Sequence, residues 1–108
     1  MADSLVVDIY QATRDFPREE RYGLQTQIRR SAVSTVTNIV EGSARRSGRE
    51  YVNFLNIATG SAAEVRYLID LSCRLGFLSR GHMTGLDSRC HNLIGSLVRL
   101  MDSLSPEP

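Results

Sequence analysis

The chain has 108 residues, 42% hydrophobic and 23% charged, and its 13 basic and 12 acidic residues leave a formal charge of +1. That is the composition of one ordinary globular domain. All 13 basic residues are Arg, so a P-loop lysine, a Schiff base and a lysine general base are excluded; with 6% aromatic residues and no Trp, a base-stacking platform is not expected.

Residues 1–20 carry Asp3, Asp8 and Asp15 and lack the basic start and apolar run of a signal peptide. No apolar stretch approaches the roughly 20 residues that span a bilayer. A cytoplasmic chain with no membrane association is expected, with Cys73 and Cys90 as free thiols.

The first predicted helix runs from about Asp3 to Asp15, with Leu5, Ile9, Ala12 and Phe16 on one face. Phe16-Pro17 ends it, because a residue before proline avoids the α region. A second helix restarts near Arg18-Glu19-Glu20 and runs to about Ala44. Leu24, Ile28, Ala32, Val33, Thr35, Val36, Ile39 and Val40 fill its apolar half.

Ser47-Gly48-Arg49-Glu50 reads as a capping box opening a third helix that runs to about Leu75. Tyr51, Leu55, Ala58, Ala62, Val65, Ile69 and Ser72 follow helical spacing, and Gly76 is placed to end the helix. The fourth helix starts near Ser79 or Thr84 and ends near Leu104. Its seam is the heptad series Met83, Leu86, Cys90, Leu93, Leu97, Leu100 and Leu104.

Four amphipathic helices joined by short turns predict an all-α, antiparallel, up-down-up-down, left-handed four-helix bundle. Residues 1–104 form the single domain and 105–108 a flexible tail. So thin a bundle has much surface for its volume, which favours oligomerisation.

Two features bear on function. Gln27, Arg30, Ser34, Asn38, Glu41 and Arg45 form a polar stripe opposite the apolar half of the second helix. The middle of that helix uses Ser, Thr and Asn, which are mediocre helix formers, where a solvated face would use Glu or Gln. The stripe is therefore expected to be a helix–helix or subunit interface, with Asn38 and Glu41 buried and paired.

The second feature is charge. Residues 1–13 carry −2, residues 14–49 carry +4, and residues 50–108 carry −1. Arg45, Arg46 and Arg49 cluster at the turn between the second and third helices, with Arg29 and Arg30 on the second. Arginines at a loop and helix start suit phosphate groups. Arg45 and Arg46 also complement the carboxyl end of the second helix's dipole.

Catalytic motifs are sparse. His82 and His91 are the only histidines, and Cys90-His91 point about 100° apart on a helix. No CxxC or HExxH occurs, and Glu41 and Glu64 lack the Glu-x-x-His of di-iron bundles. The Arg-gap-His motif of helical RNases is missing, since Phe77 and Leu86 stand five residues before the histidines. No enzyme, metal or cofactor is expected.

The run Phe16-Pro17-x-x-Glu20-x-Tyr22-Gly23-Leu24-x-x-Gln27-Ile28-Arg29-Arg30-Ser31-Ala32-Val33-Ser34 leads into Asn38-Ile39-Val40-Glu41-Gly42. Phe54-Leu55-x-Ile57-Ala58-x-Gly60-Ser61-x-x-Glu64 and Leu75-Gly76-Phe77-Leu78 follow. Together they resemble the bacterial four-helix-bundle family first met as reading frames in intervening sequences of 23S ribosomal RNA genes. The resemblance implies a left-handed antiparallel bundle that assembles as a homopentamer, without established enzymatic activity. It also implies kinship with the accessory variability determinant of diversity-generating retroelements, a basic pentamer that binds reverse transcriptase and nucleic acid.

Gln27, Arg30, Ser34, Asn38, Glu41, Gly42, Ser61 and Glu64 match motif positions and are read as subunit or helix interface residues. The leading expectation is a non-enzymatic homo-oligomeric scaffold with a protein partner. The alternative is an RNA- or DNA-binding accessory protein using Arg29, Arg45, Arg46 and Arg49.

Overall fold

The computed structural model describes residues 2–104, so the tail expected at 105–108 lies outside the described residues. Four α-helices follow in order: α1 (Ala2–Ala12), α2 (Leu24–Ser43), α3 (Gly48–Arg74) and α4 (Arg80–Leu104). A short 3-10 turn (Arg18–Glu20) precedes α2. Each helix packs on its neighbours in sequence, and α1 also meets α4, which closes an antiparallel four-helix bundle. The bundle is elongated, 49 × 23 × 19 Å.

Local chemistry sets the helix boundaries. The restart expected at Arg18 does not carry straight into α2. Gly23 takes a non-helical conformation (φ −110°, ψ −109°), so the 3-10 turn stays separate. The Leu24 amide then donates to Glu20 Oε1 at 3.1 Å, so a glutamate takes one of the free amides of the α2 start.

The Ser47 cap at α3 forms. The Glu50 amide donates to Ser47 Oγ at 3.1 Å, and the Ser47 hydroxyl donates to Glu50 Oε1 at 3.3 Å. At the other end Gly76 adopts φ +84°, the left-handed conformation that favours glycine. The Phe77 amide donates to Ser72 O and the Gly76 amide to Cys73 O, a Schellman closure. Ser79 caps α4, accepting from the His82 amide at 3.1 Å.

The core runs along the bundle axis through Leu5, Ile9, Ile28, Leu55, Ile69 and Leu93. Each fully buried Leu or Ile contributes about 1.5–3 kcal/mol over its exposed state. Leu86, Cys90, Leu93 and Leu97 of the predicted α4 seam are buried, while Met83, Leu100 and Leu104 pack half-buried at its ends. Buried hydroxyls bond to their own helix: Thr35 Oγ1 donates to Ser31 O and Ser72 Oγ to Leu68 O. No buried side-chain polar atom among the described residues lacks a partner.

Candidate subunit interface and arginine turn

The polar residues of α2 divide by their angle around the helix. Gln27, Ser34 and Asn38 flank the seam with α3. Gln27 Nε2 donates to Glu64 Oε2 at 2.6 Å, and the Ser34 and Ser61 hydroxyls bond at 2.9 Å. Asn38 is half-buried and turns back on its own helix, donating to Ser34 O at 2.8 Å and Ser34 Oγ at 3.1 Å. Four predicted interface residues, Gln27, Ser34, Ser61 and Glu64, thus bond across an intramolecular helix pair.

Gly42 belongs to the same seam. It is buried, and a Cβ on it would stand 2.8 Å from Phe54 Cβ and 2.9 Å from Tyr51 Cδ1. With no side chain at Gly42, Phe54 and Tyr51 of α3 pack directly against the α2 backbone.

Within the single chain Asn38 bonds Ser34 rather than Glu41; Glu41 and Arg30 are exposed, and Glu41 pairs with Arg45 one turn on, at 3.7 Å. The reason is angular: Glu41 lies beyond Asn38, past the edge that α3 covers.

The outer face of α2 corrects a second expectation. Val33 and Val40 fall in the apolar half of the wheel, yet they are 38% and 60% exposed. They lie two turns apart with the exposed Thr37 between them. Across the seam, Ile57 of α3 is 52% exposed. No charged residue occurs between Arg30 and Glu41. That charge-free run was the available sequence signal for this face, but an apolar wheel alone places such valines in the core.

The arginines also separate. Arg29 turns onto α1: its Nε donates to Thr13 Oγ1 and its Nη2 to Tyr10 O, both at 2.9 Å. The same guanidinium stacks 4.5 Å from the Tyr10 ring centre. It ties α1 to α2 and stands apart from the cluster predicted to include it. Arg45 lies 4.7 Å over the Phe54 ring and holds Glu41. Arg46 and Arg49 are exposed and have no ion-pair partner among the described residues.

On the far side, Arg66 Nε donates to Asp87 Oδ1 at 2.6 Å, and this bond raises the guanidinium's pKa above its ordinary value. Cys90 beneath is fully buried, and desolvation pushes its thiol up to about 11. Among the described residues no three His, Cys, Asp or Glu gather as a metal set, and no helix is long and apolar enough to cross a membrane.

Fold and surface together define a small antiparallel helical bundle with an apolar, charge-free outer strip on α2. The chain belongs to the 23S rRNA-intervening sequence protein family, whose pattern matches residues 1–99. A solved structure from Bacteroides thetaiotaomicron VPI-5482, a protein with unknown function from the S23 ribosomal protein family, shares the fold. Its TM-score is 0.83 at 23% identity, over 93% of this chain and 94% of that one. No curated protein matches the chain.

Proposed function

We propose that this protein is a non-enzymatic scaffold that works as a closed homo-oligomer, a pentamer, with the outer strip of α2 in the subunit interface. One observation carries the reading. The ten residues Ser31 to Val40 hold no charge, and their outward members Val33, Thr37 and Val40 stand open to solvent in a single chain. Water-facing turns in mid-helix ordinarily carry charges that keep the chain soluble and monomeric. A ring of five is a heterologous arrangement, so the strip meets a different face of the next subunit. The number five comes from the family resemblance.

Light scattering after size exclusion tests the proposal. The wild-type chain is expected at five times its 12.0 kDa mass. A Val33→Asp, Val40→Arg variant is expected to fall to the single-chain mass with its helical circular dichroism unchanged. A wild-type protein at the single-chain mass overturns the proposal.

A second reading is favoured by Arg46 and Arg49, which are exposed and unpaired beside the α3 start among the described residues. Repeated around a ring, they would form a belt of guanidinium groups suited to the phosphates of RNA or DNA. This reading makes the scaffold a nucleic-acid accessory.

A further inference from the structure

The bundle is least tightly closed where α1 meets α4. At one end of this contact the Arg89 guanidinium donates to Asp8 and to Ser4 Oγ, joining the two helices. Further along, α1 and α4 part around a cleft of about 500 Å³. That volume falls within the range of small-molecule sites.

The two walls of the cleft differ. On the α1 side stand Asp8, Gln11 and, just past the helix end, Asp15. On the α4 side stand Gly81 and Gly85, one helical turn apart, and a Cβ on either would meet no atom within 4 Å. At these two positions the α4 wall carries no side chain. The base is apolar, formed by the buried Leu78 and Leu86, with Phe77 beside them. Phe77 is fixed by Phe16, whose ring centre lies 5.8 Å away.

The charges are unequal. Asp8 is matched by Arg89, the only arginine in the lining. Asp15 is exposed and has no ion-pair partner among the described residues, and the exposed His82 also lines the cleft. A carboxylate without a counter-ion, an aromatic ring and an apolar base are the groups that together recognise an organic cation.

We propose that this cleft binds a compact organic ammonium ion with an apolar body. The ammonium group pairs with Asp15 near the Phe77 ring, and the body rests on Leu78 and Leu86 over Gly81 and Gly85. The cleft is lined from α1, α4 and the chain beside their ends, and none of Val33, Thr37 and Val40 lines it.

Amide shifts of the full-length, assembled protein test it. The probes are phenethylammonium, its uncharged analogue 2-phenylethanol, and the anion 3-phenylpropionate. Phenethylammonium is expected to saturate shifts at Gln11, Gly81 and Gly85 with a Kd of roughly millimolar order. The two analogues are expected to bind at least about tenfold more weakly. Asp15→Asn should bring the cation down to the level of the alcohol. Gly85→Leu, a change that favours the helix, should block the cleft. The proposal is overturned by an absence of saturable shifts, by equal binding of either analogue, or by cation binding that survives either substitution.

Discussion

Gly42 and Phe54 face each other so closely across the α2–α3 seam that a methyl on Gly42 would stand 2.8 Å from Phe54 Cβ. This gives a physical reason for a glycine in the Asn38-Ile39-Val40-Glu41-Gly42 run. Within a helix glycine is about 1 kcal/mol less favourable than alanine, so its use there needs a compensating contact. Here the contact is the close approach of two long helices.

Gly42→Ala is accordingly expected to destabilise the bundle by about 1–3 kcal/mol, as overpacking outweighs the gain in helix propensity. Urea unfolding of wild type and variant measures this. A variant as stable as wild type or more stable would show that the seam yields.

The arginines should divide by task. Arg29→Ala removes two hydrogen bonds and the stacking on Tyr10 that hold α1. A cost of about 1–2 kcal/mol is expected, with α1 amides losing hydrogen-exchange protection first. The paired change Arg46→Glu, Arg49→Glu touches no ion pair and should leave stability within about 0.5 kcal/mol. If the nucleic-acid reading holds, only this second variant loses salt-sensitive RNA binding. A wild type that binds no RNA at low salt removes that reading.

Cys90 supplies a pH dependence. Burial raises its thiol from 9.0 to about 11 in the folded chain. A raised thiol pKa means that the unfolded chain ionises first. The contribution is therefore complete below pH 9 and is lost as pH climbs through 11. The advantage of wild type over Cys90→Ala in urea should shrink by about 2 kcal/mol between pH 8 and pH 11. An unchanged difference would mean that the thiol is not desolvated. In native protein at pH 8, Ellman's reagent should label the half-buried Cys73 well before Cys90.

Much of the bundle was readable because its signals are local. The Ser47 cap, the Gly76 stop and the heptad from Leu86 to Leu97 each depend on residues within a turn or two, where sequence spacing maps onto space. The Arg18 restart failed as a continuous helix because Gly23 lets the backbone leave helical angles, which a periodic pattern does not register.

The functional surface was less readable. A helical wheel ranks residues by angle but does not say which neighbours cover that angle. Val33 and Val40 share the wheel's apolar half with Ile28 and Ala32, yet they lie on the arc that neither α1 nor α3 covers. Arg29 and Arg30 are adjacent in sequence, but one reaches the end of α1 and the other is exposed.

Four helices, the Ser47 cap, the Gly76 stop and the family are legible in the chain alone, because capping and periodicity are properties of neighbouring residues. So is the exclusion of lysine chemistry. Helix packing set the rest: Gln27, Ser34, Ser61 and Glu64 bond within one chain, and Val33, Val40 and the cleft beside Asp15 stay open. Those outcomes depend on which helix lies beside which, and at what distance. These relations join residues tens of positions apart that no local pattern connects.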